Sequence, residues 1–207
     1  MTEITEIRYT DPYFTVLLST GERLKLPPEL YSELSLSKGK IIDNEEYEHL
    51  KEESARLECR GKAFNYLAVR SRSGWEMRLY LIKKGFDKDI VEETVCSLKD
   101  KGYINDYDFA ISFINSRKNS RIVGRNAIKR DLYKKGVSRE IINTAIKKTN
   151  AGRIDPDDIY GLALKKYNSL DKKKNKLLKV VYFLKQKGFE EDQVRDAVDK
   201  LKKEGYK

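Results

Sequence analysis

The sequence predicts a mainly α-helical protein: three tandem three-helix repeats in an elongated, curved array, preceded by a small strand-containing N-terminal module. Three observations predict this. A Lys-Gly turn recurs at Gly85, Gly136 and Gly188, 51 and 52 residues apart. Apolar residues stand at the same offsets around each of these glycines. The chain of 207 residues is 37% charged and only 39% hydrophobic. A charged share so far above the roughly one quarter usual in globular domains suits several small units better than one large core.

The offsets carry the argument. Four residues before the glycines stand Leu81, Leu132 and Leu184, and eight before stand Met77, Ile128 and Val180. Such pairs lie one turn apart on a helix that ends at the glycine, which closes it in the left-handed conformation without a Cβ clash. Six residues after stand Val91, Ile142 and Val194, and ten after stand Val95, Ile146 and Val198. These begin a second helix, with Asp87, Ser138 and Glu190 as its caps; the glutamate is a poor one. Thr94, Ala145 and Ala197 are small enough for close helix approach, and Gly102, Gly152 and Gly205 end the second helix.

A further helix leads into each pair. The first runs from Glu45 to about Ser71, with Gly61 a candidate break. The second spans Tyr107 to Arg117 after Asn105-Asp106, and the third spans Asp157 to Tyr167 after Asp155-Pro156. Asp and Asn cap helix starts, and Pro fits the first turn. The repeats therefore occupy 45–104, 105–154 and 155–207. Such units bury little alone and are expected to stack. In residues 1–44, Tyr13–Leu18 and Arg23–Leu26 flank a hairpin turn, Pro28–Leu36 forms a short helix, and Lys38–Lys40 turns before Ile41-Ile42.

Charge is distributed unevenly. Residues 1–58 carry 7 Lys/Arg against 13 Asp/Glu, whereas residues 59–207 carry 36 against 20. Between Arg117 and Arg153 there are 12 basic residues and only Asp131 and Glu140. A solvated helix face mixes its signs, so density of one sign points to a polyanion. Arg121, Arg125 and Lys129 follow at i+4 on the helix whose other side carries Ile128 and Leu132, Arg130 and Lys134 flank them, and Arg117 and Lys118 precede them. Tyr107, Phe109, Phe113 and Tyr133 interleave at helical spacing, which favours core over base-stacking platforms. Lys172, Lys173, Lys174 and Lys176 form a basic connection suited to a non-specific tether.

Enzyme chemistry finds little support. His49 is the only histidine and sits in a carboxylate-rich helical stretch, where it reads as an exposed residue. Asp155–Asp158 lacks the glycine and terminal glutamate of a calcium loop, so capping explains it. No glycine-rich phosphate loop occurs. No cofactor or metal is expected. Cys59 and Cys96 are isolated, which fits a reducing cytoplasm. Neither a signal peptide nor a run of about 18 apolar residues is present, so no membrane association is expected.

The stretch from Leu67 to Phe86 resembles the signature of RecX regulatory proteins: Arg70, Arg72, Ser73, Glu76, Leu81, Lys84, Gly85 and Phe86 stand at its key positions. Gly102–Asp106 with Phe109-Ala110, then Gly124, Leu132 and Lys135-Gly136, continue the likeness, with Asn105 in place of a more usual Asp. The likeness covers roughly residues 60–150. The third repeat follows it more loosely, and Asp171–Lys176 lacks the Arg-Ser step. Ser73 and Glu76 have the spacing of a capping box. Arg70 and Arg72 either neutralise a helix C-terminus or face a partner. The resemblance implies a non-catalytic monomer that binds the RecA nucleoprotein filament, in its helical groove, and suppresses ATP hydrolysis and strand exchange. It thereby implies a part in recombination, DNA repair and the SOS response, with weak, non-specific contact to single- and double-stranded DNA. Two other readings are a direct DNA-binding module, since short helix-turn-helix pairs can enter a major groove, and a helical-repeat adaptor. Against the first of these, the basic residues are dispersed and no recognition cluster aligns with one helix start.

Overall fold

The computed structural model describes residues 1–120, 122–170 and 175–206, with 118–120 described by their backbone alone. By its contacts the chain divides into two compact units, Met1–Ile104 and Asn105–Lys207.

The first unit opens with strands β1 (Thr2–Thr10), β2 (Tyr13–Leu18) and β3 (Arg23–Leu26), helix α1 (Pro28–Glu33) and strand β4 (Ile41–Ile42). They form an antiparallel sheet in the order β3-β2-β1-β4. The hairpin of β2 and β3 and the short helix are as expected from sequence. Strand β1 is an addition. Its apolar residues Ile4 and Ile7 are three apart, which hides the alternation of a strand. A bulge between Ile4 and Glu6 shifts the register and lets both residues serve the same core. Helix α2 (Asn44–Val69) then runs unbroken through Gly61. Its early turns give Leu50 to the sheet's core, and Ser54 Oγ accepts from the edge-strand Lys25 N–H at 2.9 Å. Later turns give Cys59 and Ala63 to a second core with Met77, Leu81, Val91, Val95 and Leu98. Packing at both ends outweighs the weak helix preference of one glycine. Helices α3 (Gly74–Lys83) and α4 (Lys88–Asp100) complete this unit.

The second unit holds two three-helix groups: α5 (Asp106–Ser120), α6 (Arg125–Tyr133) and α7 (Arg139–Thr149), then α8 (Pro156–Asn168), α9 (Lys176–Gln186) and α10 (Glu191–Lys203). Each has its own apolar cluster, one around Ile114, Ile128, Leu132, Ile142 and Ile146, the other around Val180, Leu184, Val194, Val198 and Leu201. The turn glycines take positive φ, 69° to 90° at Gly85, Gly136 and Gly188 and 75° to 87° at Gly102, Gly152 and Gly205. Asp87, Ser138 and Asn105 accept from amides in the first turns of α4, α7 and α5. Glu190, expected to be a poor cap, forms a reciprocal capping box with Gln193: its side chain faces the Gln193 amide and its own N–H donates to Gln193 Oε1 at 3.0 Å.

One junction joins the two groups of the second unit. The N-terminus of α6 abuts the turn that ends α9. Gly124 N–H donates to Lys187 O at 2.9 Å, Asn126 N–H to Gly188 O at 3.0 Å, and Arg130 Nη2 to Gln186 O at 3.1 Å. The first amides of one helix thus meet the last carbonyls of another, and the two helix dipoles oppose favourably. This is why α6 needs no side-chain cap at Gly124. The approach is so close that a Cβ on Gly124 would stand 2.1 Å from Gly188 O, and one on Gly188 would stand 2.1 Å from Ala127 N.

Candidate polyanion-binding surface

The basic residues singled out in the sequence separate into two classes once their partners are known. Arg70, the cap residue that ends α2, forms a forked pair with Glu76, 3.1 Å to each carboxylate oxygen. That bond holds the Arg70 guanidinium above its usual pKa. Ser73 Oγ accepts from Glu76 N–H at 3.1 Å, so Arg70 grips the residue at the third position of the cap. Arg72 lies flat on Tyr66, 3.8 Å from the ring centre, and Tyr66 stacks on Tyr80 at 3.9 Å. Both arginines of the signature therefore bind within their own unit. Arg72 Nε also donates to Tyr66 O at 3.4 Å in the last turn of α2, which is the helix-C-terminus role of the two weighed for it.

In the second unit, Arg117 bridges α5 to α6 through Asp131 at 3.0 Å, with Phe113 beneath it at 5.2 Å. Arg130 is committed to the α9 carbonyl described above. The row of three cations on one helix is corrected: α6 begins at Arg125, so only Arg125 and Lys129 follow each other on it. The Ile122–Gly124 stretch before it is extended and serves the junction instead. Arg121, the Lys118 side chain and Lys172, Lys173 and Lys174 lie outside the described residues. Lys134 is exposed at the end of α6. Of the four aromatic residues, Phe109 is buried and Tyr107 and Phe113 pack against the core, while Tyr133 is exposed.

Arg125 and Lys129 form one wall of a cavity of about 570 Å³ between α6 and α7. Asn143, Lys147 and Asn150 form the other, Arg153 reaches in from the connection after α7, and Ile146 lies between the walls. Among the described lining residues every ionisable group is a cation. Glu190 balances Arg125, 3.5 Å from its Nη1. The Arg125 Nε is buried without a hydrogen-bond partner among the described residues. The wall positions are fixed by backbone contact: Gly152, at φ +82°, comes so close that a Cβ there would stand 2.7 Å from Arg125 Cβ.

Asn143, Lys147, Asn150 and Arg153 were not singled out in the sequence, although Lys147 and Arg153 belong to its basic run. A signal for them existed. Ile142 and Ile146 fix the inner face of α7, which leaves 143, 147 and 150 as an outer row at i, i+4 and i+7.

Elsewhere, His49 is exposed on α2, Cys59 is buried and Cys96 exposed. Asp155 caps α8 by accepting from Asp157 N–H at 2.9 Å. Among the described residues, no group of three or more His, Cys, Asp or Glu side chains could hold a metal, and no helix is long and apolar enough to cross a membrane.

Comparison with known proteins agrees with this architecture. The family model of the RecX first three-helix domain matches residues 59–98, and that of the second three-helix domain matches residues 105–146. The regulatory protein RecX of Clostridium perfringens (strain 13) is 33% identical over 183 residues, covering 86% of this chain and 84% of the relative. The chain belongs to the RecX family. The regulatory protein RecX of Clostridioides difficile (strain 630) is 27% identical over 203 residues, 97% of this chain and 95% of that one. A crystal structure of a regulatory protein RecX shares the fold, with a TM-score of 0.73 over 96% of this chain and all of that one at 19% identity. The crystal structure of RecX from Lactobacillus salivarius gives a TM-score of 0.60, at 27% identity over 72% of this chain and 97% of that one. Relative to the RecX domain matches, Gly124, Arg125, Lys129 and Asn143 fall inside the second. Lys147, Asn150 and Arg153 fall beyond it.

Proposed function

We propose that this RecX-family chain is a non-catalytic regulator that binds the RecA nucleoprotein filament in its helical groove and inhibits ATP hydrolysis and strand exchange. It acts in the cytoplasm, as a monomer, to modulate recombination and DNA repair. Family membership carries this reading. The concentration of positive charge in the second repeat supports it, because a filament built on DNA is a dense polyanion. We assign that contact to Arg125 and Lys129, which line the cavity between α6 and α7, with Lys134, Lys118, Arg121 and the Lys172–Lys174 cluster extending it by sequence. Arg70, Arg72, Arg117 and Arg130 act through the scaffold that presents them.

A second reading, a direct DNA-binding helical-repeat protein, draws on the same cavity. Co-sedimentation separates the two. On the regulator reading the chain pellets with RecA filaments assembled on single-stranded DNA more strongly than with the DNA alone, and it lowers strand exchange at substoichiometric amounts. Equal pelleting with and without RecA, with strand exchange untouched, favours direct DNA binding.

A further inference from the structure

We infer that the exposed face of α9, where Leu178 and Tyr182 stand one turn apart with Lys179 beside them, is a docking surface for a partner protein that presents the C-terminal end of a helix. The surface shares no residue with the cavity between α6 and α7, and it takes protein rather than nucleic acid. It rests on the regulator reading only for the claim that this partner is the RecA protein of the filament.

Helix α6 carries an occupied version of this face. Asn126 and Arg130 stand ten and six residues before the turn glycine Gly136, and both hold the last carbonyls of α9: the Asn126 N–H donates to Gly188 O and the Arg130 guanidinium to Gln186 O. Ten and six residues before Gly188, the same two positions of α9 are Leu178 and Tyr182. They are 50% and 61% exposed, whereas Val180 and Leu184 on the other side of the helix are fully buried in the core. Two large apolar side chains left open one turn apart form a patch that gains by being covered. A helix end offered to this face finds that apolar cover. It also finds a tyrosine hydroxyl that can donate to a carbonyl as Arg130 does, and the Lys179 ammonium group for the negative end of its dipole.

The residues around the pair narrow the occupant. Gly124 and Ala127, which let the α9 turn come so close to α6, correspond to Lys176 and Lys179 in α9. An occupant of α9 therefore stands further off, and its own last turn cannot be cationic. That excludes a second copy of this chain. Each described helix that ends at a glycine turn, α3, α4, α6, α7, α9 and α10, carries Lys or Arg in its last turn, so like charges would meet across the contact. A helix ending in apolar or acidic residues fits instead. Phosphate fits poorly, because the centre of the face is apolar and would strip its water without replacing those hydrogen bonds. An apolar centre that includes a tyrosine, with a charged rim, is the anatomy of a protein interface.

Binding of the labelled full chain to RecA filaments assembled on oligo-dT with a slowly hydrolysed ATP analogue, compared with bare oligo-dT, tests the inference. The double variant Leu178→Ser, Tyr182→Ser is expected to bind the filament at least about tenfold more weakly, through faster dissociation, and to bind the bare strand as the wild type does. Ile41→Ser with Val69→Ser, which removes exposed apolar side chains of the first unit, is expected to leave filament binding unchanged. Should the double variant lose its cooperative melt, Tyr182→p-benzoylphenylalanine carries the test. On irradiation it is expected to cross-link to RecA, at a residue in the last turn of a helix or just beyond it. A folded double variant that binds filaments like an active wild type overturns the docking surface alone. So does an equal loss of binding on bare DNA, or a cross-link confined to DNA or to a second copy of this chain. A wild type that does not bind filaments at all overturns the regulator reading, and the named partner with it.

Discussion

Gly188→Ala is expected to destabilise the second unit by about 3 kcal/mol or more, while Gly85→Ala, the same turn in the first unit, costs about 1 kcal/mol. Both glycines sit at positive φ, +85° and +90°, so each alanine meets the same backbone strain. Their surroundings differ. A Cβ at Gly85 meets nothing within 4 Å, whereas one at Gly188 stands 2.1 Å from Ala127 N and 2.5 Å from Ala127 Cβ. Gly124→Ala isolates the steric part, because its φ of −72° suits any residue while its Cβ would strike Gly188 O and C. Backbone atoms cannot swing aside as a flexible side chain can, so the two helix ends must separate. Their mutual hydrogen bonds are lost with them, and the freed amides and carbonyls need new partners. Urea titration of each variant gives the stabilities. Hydrogen exchange at the Asn126 amide, which bonds to Gly188 O, reports the junction itself. Equal stabilities for Gly188→Ala and Gly85→Ala would contradict the junction.

Arg125→Gln combined with Lys129→Glu is expected to raise the amount of protein needed for half-inhibition of RecA by roughly tenfold or more, about 1.4 kcal/mol per decade. The choice of residue matters. Glutamate at 125 would face Glu190, the present partner of Arg125 at 3.5 Å. The repulsion would loosen the junction and confuse folding with binding, which glutamine avoids. Lys129 stands one turn further along the α6 wall of the cavity, so its reversal is read at the binding surface. The double variant should keep the wild-type circular dichroism melt. Replacing Arg130 instead should lower stability, because its guanidinium serves the last turn of α9. Two cations adjacent in sequence are thus predicted to fail in different assays.

That split shows what the sequence could and could not carry. Helical periodicity and turn glycines are local, so the repeats, their caps and their inner faces were legible. Strand β1 was not, because a bulge moves Ile7 onto the face of Ile4 and erases the period of two. Positive charge was legible as a density but not as a site. Whether an arginine meets a carboxylate, a ring, a carbonyl or open water depends on residues remote in sequence: Asp131 for Arg117, Gln186 for Arg130. The same remoteness hid the cavity. Its two walls come from different helices, and the close approach of Gly152 to Arg125 sets Arg153 beside them. Ser73 and Glu76 were recognised as a helix start, yet Arg70 closing on Glu76 joins two parts of one motif that had separate readings.

The central claim, regulation of RecA, is tested most directly by RecA's ATP hydrolysis on single-stranded DNA, with this protein added well below the RecA concentration. Hydrolysis is predicted to fall steeply at those substoichiometric amounts, and to recover when the cations of the α6–α7 cavity are neutralised. Unchanged hydrolysis, with the protein folded and present in equimolar amount, would contradict the account.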